Sequence, residues 1–361
     1  MNTLLTSELR CAYLPLDRYC DSAAPWKESM LGAICFAPAA TAASVGTADA
    51  PFARVPMPAL DVAGADASAC ESWAGDGQVV YGRRGALHYG HNDDFLFGAI
   101  QLPEAQFEAP GEAAPLPHDT PLLRAARHAY REIFALLDTL GFPHILRFWN
   151  YIADINGHSH GIERYRQFNI GRQEGFIASG RQVAGNVPAA SAVGFAEGPL
   201  TIYFLAGRGT QPRPIENPRQ VSAYDYPQQY GPRSPTFSRA SVAHVGGRDV
   251  LFLSGTASIV GHRSLHIGDV AAQTRETMAN IAAMVGEANR VAPGAGFTLA
   301  DLCYKVYVRH ESDVAAIDRE LHAILGASAR LMYLKADICR QDLLMEIEAT
   351  AGHPLAFSFA A

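Results

Sequence analysis

One order of elements occurs twice in this chain, and a repeat of that kind constrains the fold more than any single motif does. In the C-terminal part, Asp249-Val-Leu-Phe-Leu-Ser-Gly255 reads as a short buried strand. Asp269 then stands as an N-cap before a helix-period run over Val270–Asn289, which Pro293, Gly294 and Gly296 close. Leu302–Val308 is β-rich, Asp313 opens a helix to about Leu325, and Arg330–Leu334 is a strand. Leu343–Ala349 alternates apolar and acidic residues, as a half-buried strand does. The middle of the chain repeats the series. Asp94–Ile100 is a strand, Asp119-Thr120-Pro121 starts a helix to about Leu140, and Gly141 stops it. Ile145–Ile152 is a strand, Ile162–Gly175 a helix, and Ala190–Phe195 and Leu200–Leu205 are strands. Strand, helix, strand, helix, strand, strand predicts an α/β (α+β) unit, a mixed sheet with two helices on one face. Two such orders predict a duplicated fold, although the copies share little sequence.

The first 75 residues are less regular, with strands expected at Leu31–Phe36 and Ala53–Val55 within Ala/Gly/Ser-rich sequence. They suit either a reduced third copy or an added cap. Pro212–Pro235 holds six prolines and three tyrosines and reads as an ordered linker, the kind of loop that lines a cleft it crosses. The expected division is 1–75, a central domain 76–215 and a C-terminal domain 216–361 that includes the linker 212–235.

A chain of 361 residues with 48% hydrophobic and 18% charged residues has enough apolar mass for two or three cores. Its net charge of −7 argues against nucleic acid or an anionic membrane as partner, since both select basic surfaces. It does not exclude a small anion held by a local arginine cluster. The six cysteines form no CxxC pair and are too sparse for a disulfide scaffold, which suits a reducing compartment. The N-terminus lacks a secretory pattern, and no window approaches a membrane span. A soluble, cytoplasmic protein is expected.

Residues able to do chemistry fall in a few places. Strand alternation puts Glu346 and Glu348 on one face, roughly 7 Å apart, where each carboxylate can raise the other's pKa. Alternation alone also allows them to face solvent on an edge strand. Arg164, Arg166 and Arg172 lie close together, the first and last about 80° apart on a helix and Arg166 on another face, so not all three can enter one cleft. Tyr151, Tyr203 and Tyr224 are either hydrogen-bond donors to a ligand or core aromatics. The His158/His160 and His262/His266 pairs lack further ligands, so no metal is expected, and no nucleotide-binding signature is present.

The runs Ser234–Ala240, Phe252-Leu-Ser-Gly255, Gly268–Gln273, Arg330 and Glu346-Ile-Glu348-Ala resemble the RidA/YjgF family. There the arginine and the first glutamate of the last strand line a site between subunits of a trimer, which implies roles for Arg330 and Glu346. A longer resemblance covers nearly the whole chain. Arg147–Ile152, Glu163–Arg172, Glu216–Gln220, Tyr224-Asp-Tyr226, Ser254–Ser258 and Ala336–Glu346 are similar to the chorismatases, which cleave pyruvate from chorismate. That resemblance implies a single-chain pseudo-trimer of RidA-like domains, active as a monomer, with its site between the central and C-terminal domains. It implies Glu346 as the acid that protonates the enol-ether methylene, a slow step needing a positioned carboxyl of raised pKa. Cys339 with Gly255 resembles the subtype that forms 3-hydroxybenzoate, with 4-hydroxybenzoate as an additional product; alanines there resemble the dihydrodiol-forming one. Arginines are the expected anchors of the two substrate carboxylates, and no cofactor is implied. Two alternatives stand beside this reading: a RidA-like imine deaminase, which Arg330 and Glu346 would fit, and a small-molecule binding protein on the same scaffold.

Overall fold

The computed structural model describes residues 8–21, 25–39, 50–60, 66–108 and 119–357. Its strands form three main sheets that share one plan. The N-terminal sheet holds β1 (Arg10–Pro15), β2 (Met30–Ala37), β3 (Phe52–Pro56) and β4 (Ala69–Ala74), in the order β1-β4-β2-β3. The central unit runs β5 (Leu87–His91), β6 (Phe95–Leu102), α1 (Pro121–Leu140), β7 (His144–Ala153), α2 (Arg164–Ala178), β8 (Ala190–Phe195) and β9 (Leu200–Gly207), with sheet order β5-β6-β9-β7-β8. The C-terminal unit runs β10 (Ala240–Val245), β11 (Arg248–Thr256), α3 (Val270–Val291), β12 (Cys303–Val308), α4 (Val314–Leu325), β13 (Arg330–Lys335) and β14 (Met345–Ala351), with order β10-β11-β14-β12-β13. Each sheet holds a corresponding parallel pair, β2/β3, β7/β8 and β12/β13, and the N-terminal sheet has a second one where Leu355–Phe357 joins β1. A parallel pair needs a crossover, and α2 and α4 supply it in the two longer units.

Local chemistry accounts for the helix ends. The Thr120 hydroxyl accepts the Leu123 N–H at 3.3 Å with Pro121 in the first turn, and Gly141 closes α1 at φ 71°. Asp269 caps α3 by accepting from the Ala272 N–H at 2.9 Å. The second central helix begins later than its sequence suggests, because Ile162–Glu163 pairs with His158–Ser159 as a short hairpin.

The helices pack on the outer faces of the central and C-terminal sheets, forming two separate apolar cores. The inner faces of all three sheets meet in a third core, where Trp73 of β4 lies 6.1 Å from both Trp149 of β7 and Phe252 of β11. The N-terminal segment thus contributes a sheet of the same plan, with its own strands facing the common centre. Chain segments also cross between sheets: Ala59–Leu60 pairs with β13, and Leu355–Phe357 pairs with β1. One expectation is corrected by this packing. The strand carrying Glu346 is buried on both faces, not half-buried, because its acidic face points to the common centre and not to water. No helix among the described residues is long and apolar enough to cross a membrane.

Candidate active site

Along β14, Met345, Ile347 and Ala349 enter the C-terminal core, and alternation turns Glu346 and Glu348 toward the central sheet. Both carboxyls are buried, yet their surroundings differ. Glu348 is fully partnered: Arg147 Nη2 donates at 3.0 Å, Trp149 Nε1 at 2.8 Å, and Lys305 Nζ lies at 2.7 Å, with the Ser191 hydroxyl donating as well. Burial works against its charge, but Lys305 and Arg147 outweigh burial and hold its pKa below the ordinary carboxylate range. Among the described residues no cation pairs with Glu346. Burial, reinforced by the Glu348 charge, pushes its pKa up to about 8, against the weaker pull of Arg147 and Arg239. Two neighbouring carboxyls are thereby driven apart, one ionised and one protonated at neutral pH, which is the arrangement of an acid beside a fixed charge.

Backbone geometry completes the acid's surroundings. The β11/β14 pairing slips between Leu253 and Thr256, a bulge that brings Gly255 against Glu346. A Cβ at Gly255 would lie 2.0 Å from Glu346 Oε1, so a side chain there collides with the carboxyl. After β13, Asp337 exchanges backbone bonds with Gly194 of β8 at 2.6 and 2.9 Å. That seam between the two sheets seats Cys339, whose Sγ lies 3.9 Å from Glu346 Oε2. Burial first, and then Glu346, pushes the thiol up to about 12, so it stays a thiol in the physiological range.

Glu346 forms the floor of a cleft of about 700 Å³ between the central and C-terminal sheets. The Pro212–Pro235 segment supplies Gln220, Tyr226 and Tyr230 to the wall. Three arginines in this wall carry a buried N–H without a partner: Arg172 Nε, Arg239 Nε and Arg340 Nη2. Their remaining donors fix their orientation. Arg172 bonds Asn169 at 3.0 Å, Arg239 bonds Val221 O and the Tyr226 hydroxyl at 2.8 Å, and Arg340 bonds His262 O at 2.9 Å while stacking on Tyr230. A buried unpaired donor on a cation is costly, and three arginines carrying one along the wall of one cleft make it a candidate anion site.

The sequence candidates divide accordingly. Glu346, Cys339, Gly255, Arg172 and Arg166 all line the cleft, with Arg166 at the rim and paired to Glu163 at 3.0 Å. Arg164 is a correction: it bonds Ala153 O at 2.9 Å and pairs with Glu104, anchoring the start of α2 away from the cleft. Tyr151 and Tyr203 are corrections too. Tyr151 meets the Tyr307 hydroxyl at 3.0 Å, and Tyr203 stacks on Trp149 at 4.4 Å in the common core. Tyr224 lies outside the cleft wall, which its neighbour Tyr226 enters. Arg330 is the clearest correction. Register sets it opposite Cys303, which faces Thr350, whereas Glu346 faces Tyr307. Four residues along and two strands across place Arg330 roughly 16 Å from Glu346 at strand spacing, and its guanidinium bonds the Ala300 and Asp301 carbonyls. Arg330→Ala is therefore expected to change kcat/KM less than about twofold, measured on the same reaction that Glu346 serves.

Arg239 and Arg340 were not singled out by sequence reasoning, nor were Tyr226, Tyr230, Arg147, Lys305 or Glu71. Arg239 and Arg340 stand inside the motif runs Ser234–Ala240 and Ala336–Glu346, which was their one available signal. Nothing in those runs tells a paired arginine from an unpaired one.

Known proteins share this sequence and fold. Residues 71–206 match the family model described as "Chorismatase FkbO/Hyg5-like, N-terminal". A protein named chorismatase from Streptomyces rapamycinicus is 39% identical over 293 residues, covering 80% of this chain and 83% of its own. A protein named 3-hydroxybenzoate synthase from Streptomyces hygroscopicus is 38% identical over 288 residues, 77% of this chain and 80% of its own. A crystal structure of a chorismatase superposes with a TM-score of 0.83 at 31% identity, covering 97% of this chain and all of that one. With the fold shared from end to end and so much of both sequences aligned, this chain belongs to the chorismatase family.

Proposed function

We propose that the protein cleaves chorismate to pyruvate and 3-hydroxybenzoate, as the names chorismatase and 3-hydroxybenzoate synthase on its relatives indicate. The observation that carries this reading is a buried Glu346, beside a second carboxyl and without a paired cation, at the floor of a cleft lined by arginines with unpaired donors. Chorismate brings two carboxylates, and Arg172, Arg239 and Arg340 supply the charge-assisted donors that hold them. Holding both ends fixes the enol ether against the acid, which replaces a random encounter by a positioned one.

Glu346 gives its proton to the terminal methylene, making it a methyl group. The ether carbon becomes an oxocarbenium centre, and the ring carbon–oxygen bond breaks with its electron pair going to the departing oxygen. Pyruvate leaves with that oxygen as its ketone. The neighbouring ring hydroxyl attacks the vacated carbon, closing an epoxide, and its proton returns to Glu346 with the Cys339 thiol alongside to pass it. Opening of the epoxide and loss of the ring proton yield the aromatic product, and aromatisation supplies the driving force. Substrate and products have the same atoms in total, so no water enters. Water in place of the ring hydroxyl would give a dihydrodiol instead.

The enzyme works as a monomer in the cytoplasm on this reading. The inner faces of its three sheets already cover one another, and no disulfide forms among the described cysteines. The deaminase alternative loses its support because Arg330 and Glu346 lie apart. Incubating the purified protein with chorismate alone and analysing the products by mass tests the proposal. Equimolar pyruvate and 3-hydroxybenzoate are expected, and absence of pyruvate would refute it. Arg340→Met should raise KM roughly 30- to 100-fold with a smaller change in kcat, the loss of one buried charge-assisted bond. Arg164→Met should lower Tm and leave KM within about threefold.

A further inference from the structure

The chemistry above uses the central and C-terminal sheets and leaves the N-terminal sheet without a part. Its strand β4 nonetheless carries a fully buried glutamate, Glu71, directed at the common centre. Register makes Glu71, Tyr203 and Glu348 corresponding residues of the three sheets, opposite Ile34, Trp149 and Lys305 respectively. They meet. Trp73 Nε1 donates to Glu71 Oε1 at 2.7 Å, the Tyr203 hydroxyl donates to Glu71 Oε2 at 3.0 Å, and Lys305 pairs with both Glu71 and Glu348. Arg147 closes the far end on Glu348 at 3.0 Å. The result is an unbroken chain Glu71–Lys305–Glu348–Arg147, two negative and two positive groups, whose Glu348 lies two residues from Glu346. Burial works against the Lys305 ammonium, but Glu348 and Glu71 outweigh it and push its pKa above the ordinary lysine value. Four buried charges give little net stability over apolar packing, so stability alone does not explain their presence at this point.

We propose that Glu71 and Lys305 are positioning residues for the acid: Glu71 completes a charge-neutral chain through which Glu348 stays ionised and Glu346 keeps its proton. The other groups facing Glu346 are Cys339 from the segment before β14, Tyr165 from α2, Arg239 before β10, and Tyr307 opposite it on β12. Of these, Tyr307 lies on the same strand face as Lys305 and also feels the charges of Glu348 and Glu71. Removing the Glu71 charge alone leaves the chain with one excess positive charge about 10 Å from Glu346, enough at an effective dielectric near 20 to lower the acid's midpoint by about one pH unit. Removing Glu71 and Lys305 together restores neutrality and should restore the midpoint.

The test is an infrared titration of the protonated Glu346 carboxyl, identified by difference against Glu346→Gln, in the unaltered protein, Glu71→Gln and Glu71→Gln/Lys305→Met. This readout needs no turnover. It therefore stands even if the chorismate reading, on which the name "acid" rests, fails; that reading falls separately if the unaltered protein releases no pyruvate. The expected result is a midpoint about one unit lower in Glu71→Gln and back within about 0.3 unit in the double variant, with the alkaline limb of pyruvate release moving in parallel. A folded Glu71→Gln protein with an unmoved midpoint, or a uniform loss of rate at every pH, overturns the proposal. If Glu71→Gln does not fold, the double variant decides: an unchanged midpoint supports charge balance, and a displacement beyond half a unit overturns it.

Discussion

Replacing Glu346 by glutamine should cut kcat by about three orders of magnitude while leaving the fold intact. The size follows from the role. A positioned acid contributes on the order of 10²–10⁴ in rate, and the adjacent Cys339 thiol, held far from ionisation, is a poor substitute donor. KM should change little, because the carboxylate anchors are arginines on other elements. The same substitution should also alter stability in a pH-dependent way. Glu346 is protonated in the folded protein up to about pH 8, whereas an unfolded chain releases that proton near pH 4.5. Between these values the folded state holds one proton more than the unfolded state. The stabilisation this gives is full below the unfolded pKa and is lost as pH rises toward 8. At 1.36 kcal/mol per unit the whole effect is on the order of 4–5 kcal/mol. Glutamine carries no such dependence. Thermal unfolding of both proteins from pH 5 to 9 should therefore show the wild type losing Tm relative to the variant as the pH rises. Equal slopes would show that Glu346 is already ionised at neutral pH.

Gly255→Ala should lower kcat by one to two orders of magnitude and divert part of the product to a dihydrodiol. A methyl group at residue 255 would overlap Glu346 Oε1 at 2.0 Å, so either the carboxyl or the bulged strand must move. Displacement of a reacting group by about 1 Å costs on the order of 10²-fold in rate. The arginines lie elsewhere in the wall, so KM should stay within about threefold. The same displacement opens space beside the ring, where water can compete with the ring hydroxyl for the vacated carbon. Running the reaction in ¹⁸O-water distinguishes the outcomes: label in a non-aromatic diol is expected from the variant, and unlabelled 3-hydroxybenzoate from the wild type. A variant with wild-type kcat and product would show that the carboxyl can swing clear without cost.

Much of this architecture is legible in the linear order of residues. Alternation along Leu343–Ala349 placed Glu346 and Glu348 on one face before any pairing was known, because the period of a strand is a local property. Thr120, Pro121 and Gly141 bounded α1 for equally local reasons, a side-chain acceptor at one end and a left-handed residue at the other. The arginines show the opposite case. Arg164 and Arg172 occupy one helix, yet Glu104 claims the first and the cleft receives the second. Arg239 and Arg340 come from segments distant in sequence, and only the unpaired donor that each keeps in the cleft wall identifies them. Arg330 lies on the right strand at the wrong end, and sheet register alone reveals it.

The sequence by itself determined the repeated unit, the strand that bears the acid and the family resemblance, since these depend on periodicity, capping and residue type. Only the tertiary structure decided what sets the two carboxyls apart, which arginines are unpaired and that Glu71 joins the same charge chain as Glu348. Charge state and pairing depend on burial and on neighbours within a few ångströms, and in three interlocked sheets those neighbours come from residues up to a few hundred positions apart, as Arg147 and Glu348 do.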